Sequence, residues 1–198
     1  MIAILDYGSG NLRSAQRAFE LTGIKTVITS DPKACADSDG LVVPGVGAFG
    51  ACMKQLVDAG GKEIILNRVS AGKPVIGICV GLQILFEQGT EKGGASGVGV
   101  LPGEVSELKS EILPHIGWNT VSAGKGSRLF EGLDGASFYF VHSYAAKKGV
   151  PDAVNSWTEY GEKFLSAVEW NSVCAVQFHP EKSGANGARL ISNWAKTL

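Results

Sequence analysis

Lys73-Pro74-Val75-Ile76-Gly77-Ile78-Cys79-Val80-Gly81-Leu82-Gln83 is the stretch that decides the fold. Its first half, KPVIGIC, is continuously apolar, as expected of a parallel strand buried on both faces. The residues that follow, VGLQILFEQG, place apolar side chains at helical spacing. A buried strand therefore feeds directly into a helix at Cys79. Upstream the same rhythm recurs: MIAILDY reads as a strand, NLRSAQRAFELTG as a helix, KTVIT and GLVVP as strands, and ACMKQLVDAG as a helix. This alternation predicts an α/β fold with a mostly parallel central sheet flanked by helices.

Downstream, from Gly93 to Gly135, glycine and polar residues become frequent, and GVGVLPGEV, HIGWNTV and SRLFEGL read as short excursions. Further strands are expected at SFYFVHSY, AVNSWTEY, FLSAVEW and VCAVQFHP. A last amphipathic helix, GANGARLISNWAKTL, puts Leu190, Ile191 and Trp194 on one face. No repeat, low-complexity segment or linker interrupts the chain, so a single domain over residues 1–198 is expected.

Eighteen Lys and Arg against nineteen Asp and Glu give a net charge of −1. With no basic block to follow a phosphate backbone, nucleic acid is not expected as a partner. The opening MIAILDYGSGN reaches acidic and glycine residues too soon for a signal segment, and no apolar run approaches a membrane span. A soluble, cytoplasmic protein is expected. Cys35, Cys52, Cys79 and Cys174 include no CxxC pair, which argues against a metal cluster or a disulfide framework, and neither metal nor cofactor is expected. Cys52 and Cys174 stand among apolar or small residues and Cys35 in the polar stretch SDPKACADSDG, so these three read as small hydrophobes or loop residues.

Cys79 is different, because Gly77-Ile78-Cys79-Val80-Gly81 is the G-x-nucleophile-x-G pattern of a sharp strand-to-helix turn. A side chain at position 77 or 81 would crowd that turn. The helix that follows would aim free N–H groups at the sulfur and favour the reactive thiolate, with Val80 N–H placed to stabilise an oxyanion. A thiolate nucleophile also needs a base that protonates the leaving amine, and the chain has three histidines. His179 ends an apolar strand and precedes Pro180, which keeps it extended, so strand periodicity would put His179 and Glu181 on the same side. The carboxylate can then hold the imidazole in one tautomer. His142 has Tyr144 two residues on and reads as packing or as shaping a substrate pocket. His115 falls in the irregular middle region.

GICVGLQ followed by HPE resembles the triad-type (class I) glutamine amidotransferases, and the similarity extends over essentially the whole chain. The resemblance implies a flavodoxin-like fold with added antiparallel strands. It implies hydrolysis of the glutamine side-chain amide through a cysteinyl thioester. Cys79 would be the nucleophile, His179 the base and acid, and Glu181 the orienting carboxylate. Gln83, one helical turn after Cys79, would reach the same pocket and hydrogen-bond the substrate.

Gly45-Val46-Gly47-Ala48-Phe49-Gly50 matches the dinucleotide fingerprint G-x-G-x-x-G, but the acidic residue that should end the next strand is missing. PGVG instead resembles the oxyanion strand of these amidotransferases, with Val46 as a second N–H donor and Gly45 and Gly47 approaching the substrate. DYGSGN, PGVGAFG, PHIGWN, FVHSY and HPEKS together resemble the glutaminase subunits of imidazole glycerol phosphate synthases, enzymes of histidine biosynthesis. That resemblance implies a separate (β/α)8-barrel cyclase subunit as partner in a heterodimer, with Asn11, Pro114, Trp118 and Lys182 at the interface. It also implies backbone around His142, Ser143 and Tyr144 that holds the glutamine head group. Glutaminase activity without the partner is expected to be weak, because the PGVG backbone would adopt its donor geometry only in the complex. The glycine-rich EQGTEKGGASGVG departs from the family, which often carries a more helical or charged segment there. Alternatives are the glutaminase of pyridoxal phosphate synthesis, which would lack PHIGWN, a silent binding module of the same fold, and a peptidase-like cysteine hydrolase.

Overall fold

The structure, a computed structural model, describes residues Met1–Leu198. Its centre is a seven-stranded sheet built from β1 (Ile2–Leu5), β2 (Thr26–Thr29), β3 (Gly40–Gly45), β4 (Val75–Cys79), β11 (Val154–Tyr160), β12 (Glu162–Trp170) and β13 (Val173–Val176). The spatial order is β11-β12-β13-β4-β3-β1-β2. The five strands from β13 to β2 run parallel, and β11 and β12 add an antiparallel edge. Every residue of β1, β3, β4 and β13 is buried, which accounts for their unbroken apolar runs.

Helices α1 (Leu12–Glu20), α3 (Phe49–Asp58), α4 (Gly61–Ser70) and α6 (Gly184–Ala195) contribute side chains to one continuous core. On α6, Leu190, Ile191 and Trp194 are buried as their spacing predicts. No helix is long and apolar enough to cross a membrane. Sequence reading overlooked two helices, α4 and the short α2 (Pro32–Asp37). The signal for α2 was present, since Asp31 caps it by accepting from Lys33 and Ala34 N–H, and Pro32 opens it. Cys35 is thereby a buried helical residue. The Arg68 guanidinium of α4 donates to the carbonyls of Cys35, Ser38, Asp39 and Pro74, fastening α2 to the start of β4.

Two expectations are corrected. VGLQILFEQG is not one helix: α5 covers only Val80–Gln83, and Phe86–Gly89 form strand β5. The carbonyls of Ile84, Leu85 and Phe86 accept from Val98, Val100 and Gly99 N–H, so they are unavailable to a continuing helix. The same exchange builds a second sheet, in the order β10-β7-β5-β6, with β6 (Ala95–Ser96), β7 (Leu101–Glu107) and β10 (Tyr144–Ala146). SFYFVHSY also divides. Residues Ser137–His142 form β9, paired with β8 (His115–Thr120) in a separate ribbon, and the chain crosses at Ser143 into β10. His115 is therefore the buried first residue of a regular strand rather than part of an irregular chain.

The turn out of β4 depends on close backbone packing. A Cβ at Gly81 would lie 1.9 Å from the Val43 carbonyl oxygen, and one at Gly77 would lie 2.7 Å from Gly81 O. Backbone cannot retreat there without breaking the β3–β4 pairing. Gly81→Ala should therefore destabilise the fold by about 3 kcal/mol or more, read as a lowered urea midpoint.

Candidate active site

Cys79 occupies the apex of that turn with φ 57° and ψ −114°. A non-glycine residue held there stores roughly 1–3 kcal/mol of strain. The surrounding elements over-determine it: Gly45 at the end of β3 stands in register with Cys79, and Gln177 Nε2 lies 3.9 Å from its sulfur. Because α5 is a single turn, the long helix dipole expected behind the thiol is absent. What remains is the local geometry of the first N–H groups, among them Val80 at the first helical position.

His179 is supplied by the adjoining strand, β13, three residues beyond its end. Its N–H donates to Tyr139 O, its carbonyl accepts from Ser183 Oγ, and Ser183 Oγ accepts from Tyr139 N–H. Strand β9 thus clamps the imidazole-bearing segment. The expected extended run through Glu181 is not observed, since Pro180–Lys182 form a 3-10 turn that Pro180 opens. His179 keeps its extended backbone, and the turn brings Glu181 Oε1 to 2.8 Å from His179 Nδ1. Both side chains are almost fully buried.

Burial alone disfavours an imidazolium. Hydrogen bonding to Cys79 and Glu181, together with their negative charge, outweighs it and holds His179 well above the usual histidine range. Its Nε2 is buried and meets no partner at full hydrogen-bond geometry, and His179 and Cys79 line the same cavity.

Val46, Gly47, Cys79, Val80, Gln83, His142, Ser143, Tyr144 and His179 all line one cavity of about 340 Å³, a volume suited to a small ligand. Glu181 and Gly45 lie behind it, where they join Asn11 around a separate small cavity beneath His179. Two lining residues, Val141 and Glu91, escaped sequence reading. Glu91, in the glycine-rich stretch, contributes the cavity's one carboxylate, and its Oε2 accepts from Phe49 N–H at the start of α3. That bond also disposes of the dinucleotide fingerprint: the helix end that would take a pyrophosphate already holds a carboxylate. Gly45 serves close packing instead, since a Cβ there would meet Gly81 N at 2.7 Å.

The segment Gly45–Gly47 is held in one particular state. Val46 N–H donates to Ser9 Oγ at 3.1 Å, and the Val46 carbonyl accepts from Ser9 Oγ at 3.0 Å and from Cys52 Sγ at 3.1 Å. Of the residues expected at an interface, Pro114 and Lys182 are exposed, and Asn11, also exposed, caps α1 by accepting from Ser14 N–H. Trp118 is 58% exposed and so is no core aromatic. It meets the Tyr139 ring edge-on, and Lys182 Nζ lies 5.9 Å from that ring's centre.

Sulfur, imidazole and carboxylate thus meet around one strained turn, the parts from which a cysteine hydrolase can be built. The chain belongs to the class-I glutamine amidotransferase family, whose model, described as Glutamine amidotransferase class-I, matches residues 3–198. A Mycobacterium bovis protein described as imidazole glycerol phosphate synthase subunit HisH is 54% identical over 201 residues, spanning 100% of this chain and 98% of that one. The protein of the same description from Corynebacterium glutamicum is 50% identical, spanning 98% and 96%. Among solved structures, a glutamine amidotransferase superposes with a TM-score of 0.79 at 19% identity, covering 98% of this chain and 97% of that one. PurLQS from Thermotoga maritima superposes with a TM-score of 0.73 at 19% identity, covering 99% and 97%. These two likenesses concern the fold.

His115 and His142, buried near the cavity, titrate opposite to His179. Burial pushes His115 down to about 4 and His142 to about 3. Unfolded histidines take up protons near pH 6.5, so the unfolded chain binds more protons than the folded one below that value. Stability should therefore fall as pH drops from about 6.5 toward 4. In urea titrations across that range, His115→Phe should give a shallower slope than the parent.

Proposed function

We propose that Cys79, His179 and Glu181 hydrolyse the side-chain amide of glutamine, and that the chain does so as the glutaminase subunit of an imidazole glycerol phosphate synthase in histidine biosynthesis. The observation that carries this reading is the 2.8 Å bond from His179 to the buried Glu181 carboxylate, beside a buried cysteine that lines the same cavity as the histidine. The Cys79 sulfur attacks the glutamine Cδ, and Val80 N–H faces the oxygen of the tetrahedral intermediate. His179 gives its proton to the leaving nitrogen, ammonia departs, and a γ-glutamyl thioester remains on Cys79. Water, deprotonated by the neutral imidazole, then releases glutamate. Ser143 and Tyr144 hold the head group with Gln83 and Gly47, and Glu91 pairs with the α-ammonium of the substrate.

The ammonia passes to a cyclase subunit docked on the face that carries Asn11, Pro114, Trp118 and Lys182. Ile116, 59% exposed, and Trp118 on the outer face of β8, with Ile112 nearby, form the kind of apolar patch that a partner covers. Four unpaired cysteines accord with a cytoplasmic, reducing setting. Cys79→Ala should abolish glutamine-dependent synthesis by the assembled enzyme and leave synthesis from added ammonia intact. Survival of both activities would overturn the assignment of the nucleophile.

Val46 N–H is the second donor to the oxyanion once its peptide turns away from Ser9, and docking of the partner supplies that turn. Removing the latch should mimic part of this effect. Ser9→Ala should raise partner-free glutaminase turnover about fivefold, the worth of one hydrogen bond, while changing the partner-bound rate far less. A partner-free rate no higher than the parent's would exclude Ser9 as the restraint.

A further inference from the structure

A directional chain of hydrogen bonds enters the cavity from the strand pair β8–β9. His142 Nδ1 lies 3.0 Å from Tyr144 O. A carbonyl only accepts, so Nδ1 carries the hydrogen and Nε2 of the neutral ring is an acceptor. His115 Nδ1 lies 3.1 Å from that acceptor and must donate to it. Its own Nε2 then accepts, and Asn119 Nδ2 stands 3.3 Å away as the donor. The second Asn119 hydrogen goes to Glu159 O at 3.0 Å, so both are used.

The far end is equally constrained. Tyr144 O also accepts from Gln83 Nε2 at 2.8 Å, and the same nitrogen donates to Gln177 Oε1 at 3.1 Å. Gln177 is fully buried, and its Nε2 is the group 3.9 Å from the Cys79 sulfur. Gln83 Oε1 is thus left as that amide's one acceptor for a ligand. Each bond permits only one direction for the next. Protonating either imidazole would set two donors against each other, at His142 Nε2 or at His115 Nε2.

From this geometry we infer that His115 and Asn119, which lie outside the cavity, are positioning residues for glutamine: they fix the His142 tautomer and through it the Tyr144 carbonyl and the Gln83 amide. The inference rests on reading the Cys79 cavity as the glutamine site. The structure holds His115 for this task by stacking it between Tyr160, 4.0 Å away at 17°, and Phe140, 4.9 Å away at 20°. In-register pairing sets it opposite His142. An apolar ring would satisfy the stacking alone, so the nitrogens serve the chain of bonds.

His115→Phe keeps an aromatic ring between Tyr160 and Phe140 and removes both nitrogens. In the assembled synthase it should raise KM for glutamine about five- to tenfold with kcat within about twofold, the pattern of lost ground-state binding. Asn119→Leu should shift KM in the same direction and serves as the measurement should the first variant fold poorly. Imidazole nitrogen NMR of the full chain should show His142 protonated on Nδ1, and His115→Phe should erode that preference. An unchanged KM in both variants, or a parent His142 protonated on Nε2, would overturn the inference. Cys79→Ala separates the two readings: if it stays active the cavity assignment fails, whereas the tautomer readout stands independently.

Discussion

At Gly81 the α-carbon sits so close to the Val43 carbonyl that a single methyl group would lie 1.9 Å from the oxygen. The rest of the site depends on that approach. It draws the end of β4 against β3, sets Gly45 beside Cys79 and obliges the chain to turn with the cysteine at positive φ. Because β13 flanks β4 on the other side, the carboxyl ends of three neighbouring parallel strands bring Val46, Cys79 and His179 to one place, as crevice sites of open α/β sheets do.

Chemistry then follows from unequal treatment of three histidines. His179 is buried against a carboxylate and a sulfur and is driven toward its charged form, whereas His115 and His142 are buried against rings and neutral partners and are driven away from it. One imidazole is thereby the group proposed to carry protons. The other two stay neutral with fixed hydrogen-bond directions, His142 lining the cavity and His115 behind it.

Sequence revealed what short-range chemistry controls. KPVIGIC had to be a buried strand, its glycines marked a tight turn, and His179 before Pro180 had to be extended. Contacts set by remote residues were not legible. Nothing local in VGLQILFEQG shows that residues 98 to 100 take the carbonyls that a longer helix would need, and nothing in FVHSY shows that the chain changes sheets at Ser143. Glu91 was hidden by glycines around it, although its place in the cavity follows once β5 and β7 are paired. His115 looked irregular because a strand in a two-stranded ribbon owes its regularity to its partner. Glu181 reached the expected atom by an unexpected path, a turn rather than a strand.

The hydroxyl of Ser9 accepts from the Val46 amide, the group proposed above as second donor to an incoming negative oxygen. It is an internal competitor, present at an effective concentration that no dissolved ligand matches. On that proposal, most glutamine that enters the cavity of an unpartnered chain would leave unreacted. A chain made in excess of its partner would then spare the nitrogen store of the cell, and hydrolysis would fall mainly to molecules whose product has somewhere to go.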